Sequence, residues 1–303
     1  VNLLISGTHG LIGKALVARF ESKGHTLTAL ARPGTKATKG EHVSWDPPRE
    51  YIDLEALRHR GPFDAVIHLA GAGIAEKRWN AERKREIRES RTRSTRTLAL
   101  AIAAYSPQPA AFISASAIGF YGNRGDEALD ESSAQGSGFL ADVCAAWEQA
   151  TAPAQAAGVR VVHLRTGIVL DPAGGALGKQ LPLFKAGVGG KLASGKQWMS
   201  WISMDDELSA IEYALTNTEL SGPINLTAPW AVTNAQFTKT LAHVLHRPAL
   251  FSVPKVALAT ALGSDLVEDA ILASQRVSPS VLNKAGFLFR HPDLEGALRD
   301  LLR

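Results

Sequence analysis

The chain has 303 residues, 45% hydrophobic and 20% charged, which suits one large α/β domain or two smaller ones and excludes a disordered polymer. Its net charge of +4 admits an anionic ligand without demanding nucleic acid, and its single cysteine, Cys144, excludes an internal disulfide and a thiolate metal cluster. No apolar run is long enough to span a bilayer and the first strand begins at once, leaving no room for a leader, so the expectation is a cytoplasmic protein without a membrane partner.

Asn2 to Ser6 reads as a buried strand that runs into Gly7-Thr8-His9-Gly10-Leu11-Ile12-Gly13. Leu11, Ile12, Ala15, Leu16 and Phe20 then recur at helical spacing as far as Gly24. A strand that turns sharply into a helix uses glycine for the turn and for close backbone approach, and the free N–H groups at the helix start attract a diphosphate. The spacing is G-x-x-G-x-x-G, looser than G-x-G-x-x-G, but its place between strand and helix makes a dinucleotide fold the first expectation. The alternative is a plain βα turn in some other α/β protein.

Thr26 to Ala31 is the second strand. An acid at its end would hold a ribose 2′-hydroxyl, whereas a cation there suits a 2′-phosphate. The chain reads Ala31-Arg32 with no acid, followed by Lys36 and Lys39, so NADP(H) is preferred over NAD(H), with Arg32 as the phosphate partner. A solvated surface arginine is the competing reading. His42 to Trp45 forms a short third strand stopped by Pro47 and Pro48, and Leu54 to Arg58 a brief helix. Ala65 to Leu69 is an apolar strand leading into Ala70-Gly71-Ala72-Gly73, with Lys77 and Arg78 just beyond as electrostatic helpers.

A long charged helix follows, from about Asn80 to Ala104. Its cations are interleaved with Glu82, Glu86 and Glu89, and Glu89 and Arg93 sit at i,i+4, so it reads as a solvated face rather than a nucleic-acid surface. Arg91 is expected on the face turned toward the cofactor. Ala110 to Ser114 is the next strand, which places the Ser114 or Ser116 hydroxyl at the mouth of the site as a hydrogen-bonding group for a substrate oxygen, or else as an ordinary strand-end serine. Tyr121 supplies a phenol or is packed. Residues 139–157 read as one helix and Val159 to Leu164 as a strand, while His68 and His163 read as core histidines rather than metal ligands. No metal-ligand spacing is present.

Strands alternate with helices for about 170 residues, and the strands are continuously apolar. That is the pattern of a doubly wound parallel sheet, a Rossmann-type α/β fold, over residues 1–165. From about Thr166 the rhythm changes. Residues 172–198 carry many glycines and read as a mobile segment over the site. Strand material returns near 200–228, with Pro223 to Thr227 as one strand, and residues 166–303 read as a smaller, mixed substrate domain.

With these residues in view, the chain resembles the extended, NAD-dependent epimerase/dehydratase branch of the short-chain dehydrogenase/reductase superfamily. It is most similar to an atypical epimerase-like family with a C-terminal domain of unknown function. The stretches that carry the likeness are SGTHGLIG, HLAGAGIAEKRW at 68–79, REIRESR at 85–91, SASAIGFYG at 114–122, LRTGIVL at 164–170, GKQWMSWISMDD at 195–206 and the segment 271–302. The resemblance implies an NADP(H) site on Gly7, Thr8, Gly10, Leu11, Ile12, Gly13, Ala31, Arg32, Leu69, Ala70, Gly71, Glu86, Arg91 and Val169, with a pocket for a small substrate beside it. Related folds pair two flanking helices, which implies a homodimer. The superfamily's Tyr-x-x-x-Lys pair has no counterpart in Gly138-Phe139-Leu140-Ala141-Asp142-Val143-Cys144, where no side chain exchanges a proton as a phenol does and none carries a positive charge. The reading is therefore hydride transfer on a small substrate with non-standard groups, Ser116, Tyr121 and Lys77 being the candidates. The rival is an NADP(H)-bound sensor without turnover.

Overall fold

In the computed structural model, which describes residues 1–34 and 41–303, eight strands form one sheet. They are β1 (Asn2–Ser6), β2 (Thr26–Ala31), β3 (Glu41–Asp46), β4 (Tyr51–Ile52), β5 (Ala65–His68), β6 (Ala111–Ala117), β7 (Arg160–Thr166) and β8 (Gly222–Leu226). Their spatial order is β8-β7-β6-β5-β1-β2-β3-β4, parallel throughout except for the antiparallel β3–β4 pair. The order runs outward in both directions from β1, so the switch point lies at the carboxyl ends of β1 and β5, where such sheets bind ligands. The register brings those ends level: Ser6 faces His68, His68 faces Ser114, and Ser114 faces His163.

Alternation along the strands divides two cores. Leu3, Ile5, Ile67, Ile113 and Leu164 pack on one face against Leu16 and Phe20 of helix α1 (Leu11–Ser22). Leu4, Val66, Phe112 and Val161 pack on the other, against Leu57 of α2 (Leu54–Arg60) and Leu98 and Ile102 of α3 (Ala81–Ala103). Buried on both faces, β1, β5 and β6 are continuously apolar over residues 3–5, 65–67 and 111–113, and their polar residues gather toward their ends. Asn80 caps α3, accepting a hydrogen bond from the Arg83 amide.

The single helix expected over 139–157 is two: α4 (Phe139–Gln149) and α5 (Ala152–Ala156). Pro153 has no N–H to continue the ladder, so the chain restarts there with proline in the first turn. The glycine-rich segment 172–198 is not the open loop expected, because it contains α6 (Gly175–Lys185), whose Leu177, Leu181 and Phe184 are buried. They join Trp201, Phe237, Leu241, Leu294 and Leu298 in a third core. The smaller C-terminal part is mixed. Strand Ile168–Asp171 pairs in parallel with Trp201–Ser203, and Gly190–Leu192 with Phe251–Val253, while Trp198–Met199 pairs antiparallel with Val232–Thr233. Among its helices are α7 (Met204–Thr216), which packs on α1, α8 (Asn234–Leu245) and α9 (Lys255–Leu262). Among the described residues no helix is long and apolar enough to cross a membrane.

Candidate cofactor cleft and polar cluster

The three glycines of the first turn do different work. Gly7 has φ +78°, and a Cβ there would lie 2.6 Å from the Leu69 carbonyl carbon. A Cβ on Gly13 would lie 2.1 Å from the Gly7 oxygen, so only glycine lets α1 approach the strand end so closely. Gly10 is different: its Cβ would meet only the Gly7 oxygen, at 3.3 Å, and otherwise open space. The backbone is thus packed beneath the turn and bare above it. That is the shape a diphosphate cradle needs at a helix N-terminus.

The open side of Gly10 belongs to a cleft of about 580 Å³. Its floor is Gly7, Gly10, Leu69, Ala70 and Gly71, and one end is formed by Leu30, Ala31, Arg32, Trp45, Pro47 and Pro48. Its long wall is one stripe of α3, Glu86, Glu89, Ser90, Arg93 and Ser94, which recur at i, i+3, i+4, i+7 and i+8. Ser90 Oγ accepts from the Ala72 amide at 3.1 Å and fixes the glycine-rich loop against that stripe. Arg83, nearly fully buried, donates to the Gly73 carbonyl, to Glu86 at 2.6 Å and to Glu76 at 3.3 Å. The Glu86 carboxyl is held below its ordinary range by the Arg83 hydrogen bond, so it stays ionised at the cleft edge.

Beneath the floor, His68 bonds Ser6 Oγ through Nδ1 at 2.6 Å and Ser94 Oγ through Nε2 at 3.2 Å. Full burial lowers its pKa to about 3, so the ring is neutral and ties β1, β5 and α3 together. The core reading of this histidine holds. Among the described residues no cluster of three or more His, Cys, Asp or Glu is placed to hold a metal ion.

A second polar cluster lies at the ends of β6, β7 and β8. Ser116 Oγ donates to Glu148 at 2.7 Å, and Arg165 clamps the same carboxylate through Nε at 2.8 Å and one terminal nitrogen at 2.9 Å. The other terminal nitrogen of Arg165 donates to the Tyr121 hydroxyl at 3.0 Å, which in turn donates to Asn225 Oδ1 at 2.8 Å. Tyr121 is wholly buried, and burial pushes its phenol up from its ordinary value against the pull of Arg165. It therefore stays protonated, with its hydroxyl committed within the protein.

The structure brings Gly7, Gly10, Ala31, Arg32, Leu69, Ala70, Gly71 and Glu86 together along the cleft. Thr8 and Gly13 are buried behind it, and Leu11 and Ile12 pack into the core beside Val169. Arg91 lies off the cleft stripe, five residues from Glu86. Its guanidinium carbon sits 5.0 Å from the Trp147 ring centre on α4 and would be 3.3 Å from a Cβ on Gly71. Lys77 and Arg78 are exposed, and Arg78 donates to the Ala259 carbonyl at 3.4 Å. Ser114 is fully buried, whereas Ser116 is 4% exposed near the end of a strand that runs three residues beyond its expected end. Lys36 and Lys39 lie outside the described residues. Sequence reasoning missed Trp45, Glu89, Arg93 and Glu148 as site residues, and it reached Arg165 only as the start of a strand-end segment, 165–169, without its role. Stepping from Glu86 at helical spacing would have reached Glu89 and Arg93, but no local signal pairs Ser116 with Glu148, 32 residues away.

Residues 3–226 match the NAD dependent epimerase/dehydratase family, and residues 253–301 match a domain of unknown function, DUF1731. The chain belongs to the NAD dependent epimerase/dehydratase family. An epimerase family protein of Mycobacterium bovis is 43% identical over 97% of this chain and 95% of its own length. A chloroplastic relative from Arabidopsis thaliana, an epimerase family protein SDR39U1 homolog, is 36% identical over 99% of this chain and 86% of its own. Among solved structures, the human epimerase family protein SDR39U1 with NADPH superposes with a TM-score of 0.88 at 28% identity, covering 99% of both chains. A Thermus thermophilus UDP-glucose 4-epimerase complexed with NAD shares the fold, with a TM-score of 0.76 at 19% identity over 99% of this chain and 97% of that one. The family's Rossmann-like, NAD(P)-binding architecture is therefore the one this chain adopts.

Proposed function

We propose that the chain binds NADP(H) in preference to NAD(H) in the cleft above Gly10 and transfers hydride to or from a small substrate. The observation that carries this reading is the combination at one cleft: a glycine cradle bare above Gly10, and Arg32 without an acid at the end of β2. The human relative with NADPH supports the same choice. Bound there, the nicotinamide would supply or accept the hydride. The Gly7–Gly13 loop would hold the diphosphate and Arg32 the 2′-phosphate.

The proton-handling groups of this reading are unusual. Helix α4 presents Phe139, Leu140, Val143 and Cys144 where the wider superfamily's tyrosine and lysine are expected. Ser116 is the remaining hydroxyl with an exposed edge, and the Arg165-clamped Glu148 orients it by accepting its hydrogen bond. In this reading Ser116 accepts a hydrogen bond from a substrate hydroxyl, or turns its own proton from Glu148 toward a substrate carbonyl oxygen. Tyr121 acts on the substrate only through Arg165 and Glu148, as a positioning residue, and Lys77 from the exposed loop serves at most to attract an anionic substrate.

Calorimetry with NADPH and NADH tests the cofactor reading. We expect NADPH to bind more tightly, and Arg32→Ala to weaken NADPH by about 1–3 kcal/mol while sparing NADH. Equal affinities in the parent protein would sink it. A panel of carbonyl compounds and nucleotide sugars, followed by NADPH oxidation, tests turnover. Ser116→Ala should then lower the rate about 10²-fold or more. No turnover across the panel would favour the sensor reading, which the lack of a tyrosine and a lysine on α4 supports.

A further inference from the structure

We propose that Arg93 is the second half of an arginine clip for the cofactor 2′-phosphate, working with Arg32, and that Glu89 holds it in reserve. The inference rests on the NADP(H) reading above.

Arg93 belongs to the stripe of α3 that walls the cleft. Its guanidinium is loosely held. One terminal nitrogen donates to the Pro48 carbonyl at 3.4 Å, and the other lies 3.4 Å from Glu89 Oε1. These are weak contacts at the limit of hydrogen bonding, and both partners of the ion pair are nearly half exposed, so releasing Arg93 costs little. Register places Arg32 at the same end. Ala31 pairs with Ser44, so Arg32 is level with Trp45, two residues before the Pro47-Pro48 turn that Arg93 touches. Two guanidinium groups therefore approach one end of the cleft, from the sheet edge and from the helix wall.

The charge order along the stripe gives this arrangement a direction. Glu86 stands beside the Gly71–Gly73 loop through Arg83, Glu89 comes next, and Arg93 is about 10 Å further along the helix than Glu86. The acidic end lies by the glycine loops and the basic end by Arg32. A dinucleotide whose diphosphate sits over Gly10 would bring its adenosine 2′-phosphate to the basic end and a plain ribose hydroxyl to nothing that needs it. Two planar guanidinium groups can share the phosphate oxygens, which a single arginine cannot saturate.

The test is calorimetry on the full chain with NADPH, NADH and adenosine 2′,5′-bisphosphate, using the parent, Arg93→Gln and Glu89→Gln. We expect Arg93→Gln to weaken NADPH and the bisphosphate about tenfold and to change NADH less than twofold. Glu89→Gln frees Arg93 and should tighten NADPH about threefold with NADH unmoved. A parent that prefers NADPH and an Arg93→Gln variant that keeps the full preference would overturn the clip and leave the NADP(H) reading standing. A parent with equal affinities would overturn both. Should Arg93→Gln lose NADH as well, Glu89→Gln decides: unchanged or weaker NADPH binding there overturns the clip, and tighter binding supports it.

Discussion

Gly10 and Gly13 stand three residues apart in the same turn, yet their substitution should fail in different ways. At Gly13 an added Cβ meets backbone at 2.1 Å, which cannot move without shifting the strand end. We expect Gly13→Ala to lower stability by about 3 kcal/mol or more, read as a loss of urea midpoint. At Gly10 the new atom points into the cleft and meets one carbonyl at 3.3 Å. Gly10→Val should keep the circular-dichroism spectrum and most of the melting temperature and abolish NADPH binding. Unchanged binding would place the diphosphate elsewhere. Cys144 makes a third contrast. It is buried on α4, and burial pushes its thiol up to about 12. We expect no reaction with a thiol reagent in the native state at neutral pH and full reaction in denaturant. The glycine roles were partly legible in the sequence, because a strand–glycine–helix pattern has few physical solutions. The pattern singles out Gly10 for the close approach to a diphosphate; that Gly7 is packed against Leu69 and Ala70 was not legible, since those residues follow another strand.

At the scale of elements, α4 shows what local pattern cannot carry. Its N-cap is Gly138, with φ +111° and no side chain to accept from the first amides. Asp269, from a π-helical turn 130 residues later, accepts the Phe139 amide at 2.9 Å instead. The capping residue is thus supplied by the C-terminal part. Asp269→Ala should cost about 1 kcal/mol, measured by urea unfolding, with little loss from Asp269→Asn. Sequence periodicity read the strands closely, placing β1 and β2 at their observed limits, because each carries a mostly apolar run bounded by polar or glycine-rich turns. It misread 172–198 for a physical reason too. Glycines there suggested a loop, but Leu177, Leu181 and Phe184 share one face, and their burial in the third core outweighs glycine's poor helix propensity. Arg83 was likewise hidden in a charged helix. Its burial follows from the carbonyl of Gly73 and the acids beside it, which only the folded loop brings near.

Two buried titratable groups shape the stability of the whole molecule. Glu207, on α7, accepts from Thr166 at 2.9 Å, and burial raises its pKa from 4.5 to about 8. Its native form binds a proton that the unfolded chain has released, so its contribution is complete below pH 4.5 and is lost as pH rises toward 8. His68 acts in the opposite sense. Its pKa falls from 6.5 to about 3, so its contribution is complete above pH 6.5 and is lost as pH falls toward 3. Between pH 4.5 and 6.5 the two slopes oppose each other, which predicts a plateau there from this pair with a fall on each side. Above the plateau the slope should approach about 1.4 kcal/mol per pH unit. Glu207→Gln should remove the fall above pH 6.5 and leave stability rising with pH between 4.5 and 6.5, as read by urea unfolding at pH 4.5, 6.5 and 8. An unchanged alkaline slope would mean that the Glu207 carboxyl is ionised in the folded protein.

The placement of β8 has a consequence for how the chain is made. This strand, Gly222–Leu226, lies along β7 and covers the inner residues Val162 and Leu164, which are at most 1% exposed. During synthesis the ribosome delivers β7 some 60 residues before β8. For that interval, a few seconds at ordinary translation speed, the nascent sheet ends in a bare apolar strand with unpaired amides. A chain halted near residue 165 should therefore partition with chaperones or into the pellet, and one released after residue 226 should leave that state. Pulse-labelled truncations ending at those two points would show the change.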